Sequence, residues 1–203
     1  MLCDFHTHHP GKAIPELVST PVDCDDKYTS LELHPWNLPE TYSPLPETIY
    51  ASLQKFNALG EIGLDRLRGP SLTIQQQYLR ELLQLAADCR KPVVFHCVRA
   101  FPELFSLLKN FPCPWAIHGF RGKIELLDEI WLRGGIVSLH PSVANNMQLH
   151  SKLRVPQGKF AFESDDDPHT DLAQIIDLTM KQSGNPDLLK ISYDTFMEFV
   201  NYA

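Results

Sequence analysis

Several common signals are missing from this chain of 203 residues. No stretch reaches the ~18 apolar residues that a helical membrane span needs. No basic-then-apolar leader opens it. A soluble, cytoplasmic protein is the expectation. Basic charge is also short: 18 Lys and Arg face 25 Asp and Glu, for a formal net charge of -7. A globally basic footprint for coating nucleic acid is therefore absent. A nuclease stays open, because metal ions neutralise phosphates locally. The five cysteines (Cys3, Cys24, Cys89, Cys97, Cys113) are odd in number and scattered, with no CxxC. That pattern argues against a disulfide scaffold and for a reducing compartment. No GxxxxGK phosphate cradle occurs, since GFRG at 119–122 is too short. No Ser-His-Asp arrangement stands out either.

What is present is enough apolar material for one domain over residues 1–203, with 43% hydrophobic content. Short apolar runs alternate with helical patterns. Strands are expected at 2–6, 13–19, 28–34, 58–64, 93–96, 115–118, 136–140 and 160–164. Helices are expected at 48–57, 72–90, 103–109, 123–132, 170–183 and 194–202, with only a weak helical signal between 140 and 160. The clearest helix is 72–90, where Leu72, Tyr78, Leu79, Leu82, Leu83, Leu85 and Ala86 recur at helical spacing. Prolines 35, 39, 44 and 46 mark a loop. Near-continuously apolar strands point to a parallel sheet under helices. Eight of them suggest a (β/α)8 barrel, although 203 residues lie at the short end of the roughly 200–250 usual for one. An open α/β sheet is the alternative.

The polar residues fall in telling places. His6, His96, His118 and His140 each close an apolar strand, and Asp165 follows another by one residue. In a barrel such positions converge on the rim where chemistry is done. Each histidine alone has a bland explanation as a hydrogen-bonded surface or core group. Glu61 is harder to dismiss, because a carboxylate among Ala58, Leu59, Ile62 and Leu64 is costly to bury unpaired. A metal would satisfy it, and so would an ion pair with Arg66 or Arg68. His6 and His8 share one face of an extended strand, with Asp4 one step deeper, while His9 faces away. HxH alone is weak. With Glu61, His96, His118 and Asp165 it becomes a set of imidazole and carboxylate ligands suited to divalent metals. Six ligands exceed the need of one structural zinc and fit two metals sharing Glu61.

At this point the chain resembles the TatD-like family of metal-dependent hydrolases, within the amidohydrolase superfamily. The matching pieces are DFHTH (4–8), HPW (34–36), GEIGLD (60–65), QQQYLRELLQLA (75–86), KPVVFHC (91–97), IHGFRG (117–122) and FESD (162–165). The resemblance implies an α/β, TIM-like (β/α) barrel and a divalent-metal hydrolase of deoxyribonuclease type. It implies that His6, His8 and Asp165 hold a first metal, that His96 and His118 hold a second, and that Glu61 bridges them. Asp165 would orient the metal-activated water and take its proton. The metals would be zinc, magnesium or manganese, and the partner DNA or another phosphate-containing substrate. A monomer is slightly favoured.

There are departures. Only residues 7–33 separate HxH from HPW, with Pro10, Pro15 and Pro21 among them, so the barrel is expected to be distorted or to lack its first helix. HCVRA (96–100), HGFRG (118–122) and SDDDP (164–168) differ from the usual loops around the site. Arg66, Arg68, Arg99 and Arg121 each follow a candidate strand, and their guanidinium groups suit phosphate oxygens. With His34 and His140 they are the expected substrate contacts, although a surface ion pair is as good an account of each arginine singly. The altered loops keep a second function open, hydrolysis of a small phosphomonoester, amide or lactone on the same scaffold. A non-catalytic metal-binding relative is the third. Asp166, Asp167, His169 and His150 carry no assigned role, Trp36 is a candidate stacking group, and Cys97 is expected to pack away from the site.

Overall fold

The computed structural model describes residues 1–11, 15–20 and 28–202. Its elements follow in the order β1 (Asp4–Thr7), β2 (Glu16–Thr20), β3 (Tyr28–Leu31), α1 (Thr48–Leu53), β4 (Ala58–Asp65), α2 (Leu72–Cys89), β5 (Val93–Val98), α3 (Phe101–Leu107), β6 (Trp115–Phe120), α4 (Ile124–Leu132), β7 (Ile136–Leu139), α5 (Met147–Leu153), β8 (Phe160–Phe162), α6 (Leu172–Ser183) and α7 (Leu188–Val200). Short 3-10 turns at Pro35–Asn37 and Pro141–Asn145 follow β3 and β7. Among the described residues no helix lies between β1 and β2 or between β2 and β3, as the shortened N-terminal stretch leads one to expect. Residues 13 and 14 of the second expected strand lie outside the described residues.

The chain divides into two compact units. The first comprises Met1–Val18 and Ala116–Asn201, the second Ser19–Trp115 with Tyr202. In the first, β6, β7 and β8 pair in parallel, with Ala116 opposite Ile136 and Leu139 opposite Phe162. β1 pairs in parallel with β2. Just beyond β8, Asp165 bridges to Thr7, donating its N–H to the His6 carbonyl at 3.0 Å and accepting from the His8 N–H at 3.2 Å. Phe5 packs against Phe199 and Phe196, with ring centroids 4.9 and 6.4 Å apart. These buried rings seat α7 on the strands.

In the second unit β3, β4 and β5 pair in parallel. The apolar face of α2 buries Tyr78, Leu79, Leu82, Leu83, Leu85 and Ala86, and each fully buried leucine contributes roughly 1.5–3 kcal/mol. One polar residue shares that face. Gln75 is fully buried, its amide oxygen accepts from the Asp65 N–H at 2.7 Å, and its amide nitrogen donates to the Asp65 and Pro70 carbonyls at 2.8 Å each. It ties the end of β4 to the start of α2. Two glycines let β4 lie close on β5. A Cβ at Gly60 would stand 2.6 Å from the Val94 carbonyl oxygen, and one at Gly63 would stand 1.9 Å from that of His96.

Helix ends differ from expectation where caps were not read. α1 stops at Leu53 rather than 57. α7 begins at Leu188, six residues before 194, directly after Asn185-Pro186-Asp187, a start signal hidden by the polar residues Lys190, Ser192 and Asp194. α5 does form, because the Asn146 side chain accepts from the Gln148 and Leu149 N–H groups.

Candidate functional site

In the first unit the candidate ligands come from strand ends. His6 lies in β1 with no exposed surface. Its Nε2 is 3.9 Å from Asp165 Oδ1. The same oxygen is 4.0 Å from His118 Nδ1 in β6. The His6 and His118 rings are 4.5 Å apart, and His8 stands 5.0 Å from His6. His6, His118 and Asp165 thus offer two imidazole nitrogens and a carboxylate oxygen within 4.8 Å of one another. The structure groups His118 with this set. Asp165 adopts a left-handed backbone, φ 56°, which aspartate tolerates better than most residues.

Two further carboxylates lie beneath this cluster. Glu163 has no exposed surface. Its Oε1 accepts from the Gly119 N–H and stands 3.8 Å from His118 Nδ1. Its Oε2 has no hydrogen-bond partner among the described residues. Asp4 is equally buried, and its Oδ1 accepts from the Ser164 N–H at 2.9 Å. Burial pushes the Asp4 carboxyl up to about 6, against the pull of the Ser164 bonds. Asp4 was legible as a supporting acceptor, whereas Glu163 was missed. The cost argument applied to Glu61 would have found it, since Glu163 follows the apolar run Phe160–Phe162.

In the second unit Glu61, 3% exposed in β4, is flanked by two histidines. His34 Nε2 and His96 Nδ1 each lie 3.6 Å from its Oε2. These three residues also present ligand atoms within 4.8 Å of one another. His96 Nε2 sits 3.0 Å from Asp65 Oδ2. The Trp36 indole N–H donates to that same oxygen at 2.6 Å. Asp65 Oδ1 accepts from the Leu67 and Arg68 N–H groups at 2.7 and 3.2 Å. Burial raises the Asp65 carboxyl, but the bonds from Trp36, His96 and Leu67 outweigh it, so the group lies below its ordinary value.

His34 and His140 share a local device that the sequence carries as a repeated Leu-His-Pro, at 33–35 and 139–141. The residue before proline is held extended, with ψ 138° and 146°. Proline then opens a 3-10 turn. The histidine Nδ1 caps it, accepting from the Trp36 N–H at 3.2 Å in one case and the Ser142 N–H at 3.1 Å in the other. A neutral ring whose Nδ1 accepts carries its proton on Nε2. Burial, then the charge of Arg121, hold the His140 ring below its ordinary value, which keeps it neutral. Both histidines are therefore fashioned as Nε2–H donors.

The four arginines divide. Arg68 lies over the Trp36 ring, 3.8 Å from its centroid, a cation–π stack. Arg121 and Arg99 are exposed. Arg66 is engaged with its own protein: it pairs with Glu103, and its Nε donates to the Arg99 carbonyl at 2.9 Å. Trp36 is 39% exposed, enough to offer a ring edge to a ligand. A cavity of about 370 Å³, within the second unit, is lined by Leu33, His34, Leu38, Pro44 and Tyr78 with Glu32 at one side. His9 pairs with Asp166 at 3.2 Å in an exposed contact, and His150 donates to the Val143 carbonyl at 2.7 Å.

The donor chemistry fits divalent cations: imidazole nitrogen and carboxylate oxygen, at the ends of rigid strands. Glu163 adds a buried carboxylate oxygen, Oε2, with no hydrogen-bond partner among the described residues, on a side chain whose Oε1 is 3.8 Å from His118 Nδ1. Comparison with known proteins agrees in kind. Residues 14–183 match the family described as TatD related DNase. The chain belongs to that family. A TatD homologue from Escherichia coli K12 superposes with TM-score 0.74 at 19% identity, covering 99% of this chain and 98% of its own. A TatD-family hydrolase from Entamoeba histolytica gives TM-score 0.63 at 18% identity, covering 75% and 66%. These TatD structures show the fold, the expected α/β, TIM-like (β/α) class. An uncharacterized metal-dependent hydrolase from Buchnera aphidicola is 26% identical over 115 residues, 53% of this chain and 44% of that protein. The chain thus spans less than half the length of that curated relative.

Proposed function

We propose that this TatD-family chain is a divalent-metal-dependent hydrolase of phosphoester bonds, acting on phosphodiesters in the manner of a deoxyribonuclease. The observation that carries the reading is that in each unit two histidines and one carboxylate place ligand atoms within 4.8 Å of one another. His6, His8, His118 and Asp165 would hold metal in the first unit, Glu61 and His96 in the second. A bound metal supplies Lewis acidity toward a phosphoryl oxygen and lowers the pKa of water toward neutrality.

The rest falls to the chain. Asp165 Oδ1 faces both histidines, which leaves Oδ2 to accept the proton of the attacking water. Its side chain is 22% exposed, whereas that of Glu163 is sealed from solvent. Asp165 is therefore the carboxylate in this cluster that water can reach. His34 and His140 donate Nε2–H to substrate oxygens. Arg68, placed over the Trp36 ring, and the exposed Arg99 and Arg121 pair with phosphate. Under this reading residues 1–203 act as one hydrolase domain, as a monomer, in the cytoplasm, on DNA or another phosphate-containing substrate.

The test is hydrolysis of single- and double-stranded DNA and of a chromogenic phosphodiester by protein stripped with chelator and reloaded with Mg²⁺, Mn²⁺ or Zn²⁺. Turnover should vanish on stripping and return on reloading, and Asp165→Asn should cut kcat about 10²–10⁴-fold. Turnover indifferent to chelator and to Asp165→Asn sinks the reading. The commitment of Arg66 to Glu103 thins the cationic grip expected for a polyanion and favours a second reading, hydrolysis of a small phosphomonoester, amide or lactone. A higher kcat/KM on such a substrate than on the diester would select it.

A further inference from the structure

We propose that Asp65 is a positioning residue that fixes the tautomer of His96, so that the neutral ring turns Nδ1 toward Glu61 as its acceptor nitrogen; this rests on the metal-hydrolase reading above. Asp65 Oδ2 has two neighbours, the Trp36 indole N–H at 2.6 Å and His96 Nε2 at 3.0 Å. The indole is a donor only. A carboxylate that accepts four bonds here, two on each oxygen, is ionised and has no proton of its own to give. His96 Nε2 must then be the donor, so when the ring carries a single hydrogen that hydrogen sits on Nε2 and Nδ1 is the acceptor. That nitrogen is the one 3.6 Å from Glu61 Oε2. With that tautomer the nitrogen and the carboxylate oxygen are both suited to act as ligands toward one divalent cation.

The same reasoning separates the two histidines around Glu61. His34 meets the carboxylate with Nε2, and its Nδ1 is spent on the Trp36 N–H. Its facing nitrogen is protonated and ligates nothing. His96 is the ligand of the pair, and Asp65 makes it so. Trp36 links the two: its backbone N–H sets the His34 ring while its indole N–H anchors the carboxylate that sets His96. Gln75 secures the arrangement from behind by holding both backbone groups of Asp65. Outer carboxylates of this kind orient metal-binding imidazoles and raise their basicity.

Asp65→Asn tests this sharply. The amide oxygen must stay on the side of the Leu67 and Arg68 N–H groups, so the amide nitrogen replaces Oδ2. It would then donate to His96 Nε2 and push the hydrogen to Nδ1; because the same nitrogen would meet the donor-only Trp36 indole, D65N is made on the Trp36→Phe background. Metal-free protein labelled with ¹⁵N on histidine, read by long-range ¹H–¹⁵N correlation, should show His96 protonated at Nε2 in the wild type and at Nδ1 in D65N. Zn²⁺ titrated by calorimetry should bind D65N about 10–100-fold more weakly. Trp36→Phe, which removes one donor from Oδ2, should leave the His96 tautomer unchanged. A wild-type His96 carrying its hydrogen on Nδ1 overturns the proposal without any variant. So does a D65N protein with unaltered tautomer and Zn²⁺ affinity. Should the wild type bind no Zn²⁺, the metal-hydrolase reading fails, while the tautomer measurement still decides the role of Asp65.

Discussion

His34 and His96 approach the same oxygen of Glu61 at the same distance, 3.6 Å, with different ring nitrogens. Equal distances conceal unequal chemistry. His34 brings an N–H, because its Nδ1 caps the turn at Trp36. His96 brings a lone pair, because its Nε2 is bonded to Asp65.

Separate replacement of the two should therefore give different defects. His96→Gln is expected to weaken Zn²⁺ binding by more than the roughly 10–100-fold that outer partners cost. His34→Gln should leave Zn²⁺ affinity within about threefold and lower kcat, since the loss falls on a donor to substrate rather than on a ligand. Calorimetry and steady-state kinetics on the same preparations check this. Equal loss of Zn²⁺ affinity in both would show that His34 ligates.

Gly63 offers a stability prediction at the same strand. Its φ of 147° and a Cβ position 1.9 Å from the His96 carbonyl oxygen leave no room for alanine. The obstacle is backbone, so β4 and β5 must separate for Gly63→Ala to fold. Overpacking of this kind costs about 1–3 kcal/mol or more, and about 2–4 °C of melting temperature per kcal/mol for a chain of this size. Thermal denaturation should show a drop of about 2–12 °C. An unchanged melting temperature would mean the strands are not this close.

The positions of the strands and of six proposed ligands were legible because chemistry and pattern coincide there. A polar residue ending an apolar run is cheap to notice, and GEIGLD names its glycines. The supporting groups were harder to see. Asp65 ends a strand like any capping aspartate, and only its approach to Trp36 and His96, 29 and 31 residues away in sequence, reveals its use. Arg66 looked like its neighbour Arg68, yet one pairs with Glu103 and the other stacks on Trp36. Side-chain direction beyond a strand end depends on loop backbone, which periodicity does not encode. Glu163 is hard to see for a different reason: Asp165, two residues on, accounts for the carboxylate expected there.

Glu163 gives the third prediction. Its Oε1 is bonded to the Gly119 N–H and faces His118, so Glu163→Gln keeps the shape and the acceptor while replacing the buried carboxylate with an amide. The fold should hold, and Zn²⁺ affinity of the His6, His118 and Asp165 cluster should fall about 10–100-fold. Circular dichroism with calorimetry checks both halves. A protein that loses its fold together with its metal would make Glu163 a structural residue only.

Asp4 gives the last prediction, one in pH. Its carboxyl is raised from 3.8 to about 6 in the folded, metal-free protein, chiefly by burial. The native state therefore holds this proton more tightly than the unfolded chain does. Below about 3.8 the group is protonated in both states and costs nothing. As pH rises from there to about 6 the unfolded chain releases the proton first, and stability is lost across that window. Above it the loss is constant, on the order of 3 kcal/mol at most by the usual conversion of pKa into free energy. Asp4→Asn keeps an oxygen for the Ser164 N–H and removes the titration. Urea melts of metal-free protein should find the variant's stability relative to wild type rising between pH 4 and 6 and level from 6 to 8. A stability difference that does not change across that window would show that Asp4 titrates at its ordinary value in the fold.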